Sequence, residues 1–132
     1  MKVIADTSVW SLALRRNTPS EDPSVARLRS LLQQGEDVIL VGVVLQEVLQ
    51  GIRAAEVFER IKDYLDAFPL VTLQRDDHIA AAKLQNLCMA NGVQVSTTDA
   101  QIAAACLQYD CALLTNDKDF EHISRFCPLQ LL

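Results

Sequence analysis

Val38-Ile39-Leu40-Val41 is an unbroken apolar run. A strand with one face in water alternates apolar and polar side chains. A continuous run is expected of a strand covered on both faces, the situation in a parallel sheet flanked by helices. Working outward from this run, the preceding segment predicts a helix over 24–34, opened by Pro23 and ended at Gly35, with Val25, Leu28, Leu31 and Leu32 as its apolar stripe. Before it lie a loop over 17–23, a helix over 8–15 carrying Val9, Leu12 and Ala13 on one side, and a short strand over 2–5. After the run, a helix over 43–50 stops at Gly51, and a second over 54–67 buries Val57, Ile61, Tyr64, Leu65 and Phe68. A strand over 70–73 and a long helix over 76–91, ended by Gly92, come next. Ser96-Thr97-Thr98-Asp99 is rich in N-cap residues and precedes a helix over 100–108. A strand over 112–115, a helix over 118–126 and an edge strand over 129–132 complete the chain. Strands and helices alternate throughout, which predicts an α/β architecture with a mainly parallel sheet.

The 132 residues fit one domain, read as 1–132, and half of them are hydrophobic, enough for a core built from Val, Ile, Leu and Ala because aromatics are scarce. Asp6 interrupts the opening apolar run, which argues against a signal peptide. No stretch reaches the roughly 18 apolar residues of a membrane span, so the expectation is a soluble cytoplasmic protein with no membrane partner. Cys88, Cys106, Cys111 and Cys127 form no closely spaced pair and are expected to be buried free thiols.

In open parallel sheets, sites lie at the carboxyl ends of the strands, and four acids stand out against that frame. Asp6 follows the first strand, and Asp117 follows the fourth after Thr115 and Asn116. Asp99 sits at a helix start, and Glu47 interrupts the apolar helix segment Val43-Val44-Leu45-Gln46-Glu47-Val48-Leu49. Taken singly, Asp99 and Asp117 read as helix caps and Glu47 as a solvated position. Asp6 is harder to explain away, because a charge closing a central strand is costly without a partner. Together the four read as a site. Carboxylates gathered in one pocket raise one another's pKa values, and a divalent cation relieves that penalty. Mg²⁺ takes oxygen ligands, and two such ions about 3.5–4 Å apart stabilise both the attacking and leaving oxygens of a phosphodiester. No rival constellation is present: His78 and His122 are not spaced as a ligand pair, and no glycine-rich phosphate loop or Ser-His-Asp set occurs.

These same residues carry a family resemblance. The chain resembles PIN-domain ribonucleases and, within them, the VapC toxins of bacterial toxin–antitoxin modules. Four blocks carry the likeness, in the family's order: Ile4-Ala5-Asp6-Thr7-Ser8-Val9-Trp10, Gln46-Glu47-Val48-Leu49-Gln50-Gly51, Thr98-Asp99-Ala100-Gln101-Ile102-Ala103-Ala104 and Leu114-Thr115-Asn116-Asp117-Lys118-Asp119-Phe120. The resemblance implies a PIN-domain fold with sheet order 3-2-1-4-5. It implies cleavage of RNA phosphodiester bonds by metal-activated water, with one or two Mg²⁺ or Mn²⁺ ions. It also implies a transfer-RNA or ribosomal-RNA substrate, a homodimer and neutralisation by a VapB-like antitoxin. Residue by residue, Asp6, Glu47, Asp99 and Asp117 carry over as the catalytic, metal-binding carboxylates. Asp119 carries over as a fifth acid in a secondary role, and Thr7, Thr115 and Asn116 as residues that orient the carboxylates.

The net charge of −5 and pI near 4.9 argue against a polyanionic partner unless part of the negative charge belongs to a metal site. Positive charge remains at Arg15, Arg16, Arg27, Arg29, Arg53 and Lys118. Arg15, Arg16 and Lys118 follow the acidic blocks and are candidates for contact with RNA or antitoxin. Trp10 and Phe120 read as packing residues, with base stacking a second use for Trp10. Two alternatives remain: a PIN-fold nuclease acting on DNA or in RNA processing, and a non-catalytic phosphoacceptor signalling module. The last fits poorly, because Gln74 and Arg75 occupy the positions after the third strand where it needs an Asp.

Overall fold

The structure is a computed structural model that describes residues 1–14 and 21–132. Its elements run β1 (Lys2–Ala5), α1 (Thr7–Ala13), α2 (Pro23–Gln33), β2 (Asp37–Val41), α3 (Gly42–Leu49), α4 (Ala55–Leu65), β3 (Leu70–Val71), α5 (Arg75–Ala90), α6 (Thr97–Gln108), β4 (Ala112–Leu114) and α7 (Asp119–Ile123). The strands form a parallel sheet in the order β3-β2-β1-β4, with Ile4 beside both Ile39 and Leu113. This is a parallel α/β sheet with one difference from the order 3-2-1-4-5 that the resemblance implies. The fifth strand is reduced to a single bridge between Leu113 and Leu131. The reason lies in the shortness of β4. Residues of a central strand bond alternately to its two neighbours, and Leu114 already turns its carbonyl to the Asp6 amide on the β1 side, at 3.0 Å. Leu113 alone is bonded on the other side, accepting from Leu132 at 2.9 Å and donating to Gln130 at 2.8 Å.

β1 and β4 are buried along nearly their whole length, as expected for strands covered on both faces: Val3, Ile4 and Ala5 have no exposed surface, and neither does Leu113. Ala103, Ala104 and Ala105 of α6 are buried in the core, and Phe120 anchors α7 in the same core with 0% exposure. Trp10 is 1% exposed and meets Phe68 edge-on at 5.2 Å, so it is a core residue and presents no ring face for a base to stack on. The helix over 54–67 was expected to bury Tyr64; Ile61 and Leu65 are buried, but Tyr64 is 46% exposed, leaning on the partly covered Phe68 at the helix rim. The final helix was expected to reach residue 126 but closes at Ile123, continuing only as tight turns before Pro128. The expected helix over 8–15 is helical to Ala13, capped by Leu14; Arg15 and Arg16 lie outside the described residues. Cys88, Cys106 and Cys111 are buried and Cys127 half-buried, all as free thiols whose pKa values burial pushes up. No described helix is long and apolar enough to cross a membrane.

Candidate active site

Parallel register brings the carboxyl ends of β1 and β4 to the same edge of the sheet, and the chain leaves both strands at an acid. Asp6 sits one residue past β1 as the N-cap of α1. Its Oδ1 accepts from the Ser8 hydroxyl at 2.5 Å and the Val9 amide at 3.2 Å. Its Oδ2 accepts from the Thr115 hydroxyl at 2.6 Å. Thr115 in turn accepts from the Asp117 amide at 2.9 Å. One hydroxyl therefore ties the acid after β1 to the backbone of the acid after β4. Thr7, the next residue along, donates to Glu47 Oε1 at 2.7 Å and so links α1 to α3.

Asp117 holds the following turn as well, its Oδ1 accepting from the Asp119 amide at 2.9 Å. The cap of α6 is Ser96, whose hydroxyl accepts from the Asp99 amide at 3.0 Å. Asp99 thus stands in the first turn without capping it, and the Ser96 side chain is also the hydrogen-bonding neighbour of its carboxylate. Asp99, Asp117 and Asp119 can each place a carboxylate oxygen so that all three lie within 4.8 Å of one another. Of the expected acids, the structure gathers Asp99 and Asp117 with Asp119, and holds Asp6 against Asp117 through Thr115. Glu47 reaches this group only by way of Thr7. Asp119, expected in a secondary role, belongs to the tightest triad.

The electrostatics follow from this crowding. Asp6 is 4% exposed, and burial raises its carboxyl above the ordinary range despite the Ser8, Thr115 and Val9 hydrogen bonds; Asp117 pushes in the same direction. Burial and then the nearby Asp117 raise Asp99 to about 6, with Asp6 and Asp119 adding to the effect and Ser96 opposing it. The donor set is all oxygen and mutually repelling, which suits a hard divalent cation: oxygens about 2.0–2.6 Å from such an ion lie within the span that this triad covers.

Asn116 was expected to orient the carboxylates. It is exposed, and its side chain donates to Asp22, the N-cap of α2. Lys118 is exposed and shares a depression of about 230 Å³ with Asp117 and Glu121. Ser96 stands out in the sequence only as part of an N-cap-rich segment, and Ser8 and Asp22 are not singled out as functional. Ser8 and Ser96 do leave a local signal, since a hydroxyl two residues after an Asp or three before one can close such turns. The contact between Asp22 and Asn116 leaves none.

The sequence model of the PIN-domain family matches residues 3–125. The chain belongs to the PIN-domain family. No curated protein matches it significantly by sequence. Among solved structures, this PIN domain is similar to VapBC2 from Rickettsia felis bound to a DNA fragment from its promoter, with a TM-score of 0.80 at 16% identity over 100% of this chain and 98% of that one. It is similar to FitAcB from Neisseria gonorrhoeae, with a TM-score of 0.76 at 20% identity, covering 98% and 96%. A third is Mycobacterium tuberculosis VapC20, a toxin that cleaves the sarcin-ricin loop, with a TM-score of 0.64 at 19% identity, covering 90% and 92%. At these identities the likeness is one of fold.

Proposed function

We propose that this PIN domain is the toxin of a type II toxin–antitoxin pair: a Mg²⁺- or Mn²⁺-dependent endoribonuclease neutralised by a VapB-like antitoxin. The observation that carries the reading is the gathering of Asp99, Asp117 and Asp119, with Asp6 tied in by Thr115, at the carboxyl edge of the sheet. The solved structures similar in fold, toxin–antitoxin assemblies and an RNA-cleaving toxin, support it.

Asp6, Glu47, Asp99 and Asp117, with Asp119, would hold one or two ions. When bound, a divalent ion supplies an activated water for in-line attack on phosphorus and offsets charge on the phosphate oxygens. The chain's own residues do the positioning. Thr115 fixes Asp6 relative to the Asp117 backbone, and Thr7 fixes Glu47. Ser8 and the Val9 amide hold the Asp6 carboxylate at the N-terminus of α1. Burial first, and neighbouring carboxylates second, hold Asp6 and Asp99 above the ordinary carboxyl range, so a bound cation would favour their ionised forms. Residues 1–132 are read as one domain around a single apolar cluster. The protein is read as cytoplasmic and homodimeric, with a transfer RNA or ribosomal RNA loop as its target.

The test is inducible expression in a bacterial host, wild type against Asp6→Asn, with RNA 5′ ends mapped after induction. Growth arrest with discrete new 5′ ends, absent in the variant, is the expected result. Arrest that persists in Asp6→Asn, or new ends in neither strain, would sink the reading. Parallel incubation of purified protein with single-stranded DNA separates an RNA from a DNA nuclease.

A further inference from the structure

A second cavity, of about 470 Å³, opens beside the acidic cluster between the start of α2 and the loop after β4. Ser24 and Arg27 line its α2 side, and Thr115 and Asn116 line the other. Thr115 and Asn116 also form a wall of the smaller depression that holds Asp117 and Lys118. The two hollows therefore adjoin at Thr115 and Asn116, and Thr115 is the residue that binds Asp6. A volume of this size suits a ligand of nucleotide dimensions.

Among the described residues, Arg27 is the one cationic side chain lining the cavity. Arg27 is exposed and makes no ion pair among the described residues, whereas Lys62 and the amino terminus are engaged with carboxylates. The one acid lining the cavity, Asp22, is turned to structural use: its carboxylate accepts from the Ser24 amide at 2.8 Å and from the Ser24 hydroxyl, and Asn116 donates to it. These bonds brace the α2 start against the β4 loop. A polyanion cannot approach a cluster of carboxylates unaided, and a guanidinium beside the cluster is suited to a phosphate because it offers paired donors in a fixed plane.

We propose that this cavity is a substrate subsite in which Arg27 binds an RNA phosphate flanking the scissile one, while Lys118 serves the strand in the adjoining depression. The proposal rests on the ribonuclease reading and deepens it by assigning the path of the strand across the site.

The test compares wild type, Arg27→Gln and a control, Arg60→Gln, whose side chain is exposed on α4 away from both hollows. Cleavage of total bacterial RNA is followed with Mn²⁺ at several NaCl concentrations. Binding of a mixed-sequence single-stranded 20-mer RNA is followed by fluorescence anisotropy. Arg27→Gln is expected to raise KM about tenfold with kcat unchanged. It should also lower the slope of log Kd against log salt by about 0.7, the loss of one phosphate contact on a single strand. Arg60→Gln should match wild type in both. If wild type cuts RNA and Arg27→Gln keeps its KM and salt slope, the subsite is refuted while the ribonuclease reading stands. A fall in kcat at unchanged KM refutes it too, since that marks a disturbed catalytic centre. If wild type neither binds nor cuts RNA, the ribonuclease reading itself fails.

Discussion

Asp99→Asn should stabilise the metal-free protein at neutral and alkaline pH. In the fold this carboxyl is raised from 3.8 to about 6 by burial and by Asp117. An acid raised in this way is bound to its proton more tightly in the native state than in the unfolded chain. Its favourable contribution is therefore complete below about pH 4 and disappears as pH rises through about 6; above that, the ionised group opposes folding. The interval between the two values corresponds to about 3 kcal/mol. Because Asp99 is only half-buried, solvent screening reduces this to about 1–2 kcal/mol. Asn has the same shape and no charge. In EDTA at pH 8 the variant should therefore melt about 3–8 °C higher than wild type. At pH 4, where most of the wild-type carboxyl is protonated, the gain should shrink toward zero. Millimolar Mn²⁺ should reverse the order at pH 8, because it stabilises only the protein that binds it well. Thermal unfolding followed by circular dichroism reads all three conditions. Equal or lower stability of Asp99→Asn in EDTA at pH 8 would refute the claim that repulsion is stored in this cluster.

Thr115→Val removes the hydroxyl that links Asp6 to the Asp117 backbone; calorimetric titration with Mn²⁺ should show affinity about 10–100-fold weaker. Thr7→Val releases Glu47 from its donor at 2.7 Å, and RNA cleavage should slow about tenfold while the melting temperature changes by only a few degrees. Phe120→Ala empties a side chain with no exposed surface directly behind Asp117 and Asp119 in the chain; urea unfolding should report a loss of about 3–5 kcal/mol.

Much of the framework was readable because it rests on local rules. The apolar runs at 2–5 and 38–41 became largely buried parallel strands, as did that at 112–115 as far as Leu114, and Gly35 and Gly92 end their helices with φ of 72° and 79°, where a side chain would be strained. Asp6 and Asp117 were legible because they follow strands, Asp99 because it sits at a helix start, and Glu47 because it interrupts an apolar pattern. What the sequence hid is long-range. The hydrogen bond from Thr115 to Asp6 spans 109 positions and that from Thr7 to Glu47 spans 40. Nothing local distinguishes Asp119 from Asp117, and it is Asp99, distant in the chain, that completes the triad with both. Asp77 carries no local signal that sets it apart, yet it is buried, accepting from the Gln74 amide and from the Tyr109 hydroxyl of the α6 cap. Asn116 matched its block well but faces Asp22, because the start of α2 lies across from the β4 loop.

The central claim is that the acids at the carboxyl edge of the sheet form a metal-dependent ribonuclease site. Cleavage of total bacterial RNA by purified protein tests it most directly, with wild type, Asp6→Asn and Asp117→Asn assayed in Mn²⁺ and in EDTA. The account predicts fragments with 5′-phosphate ends from wild type in Mn²⁺, and at least a hundredfold less product, on the order of a lost transition-state contact, from either variant or in EDTA. Undiminished cleavage by Asp6→Asn and Asp117→Asn, or equal cleavage in EDTA, would contradict it.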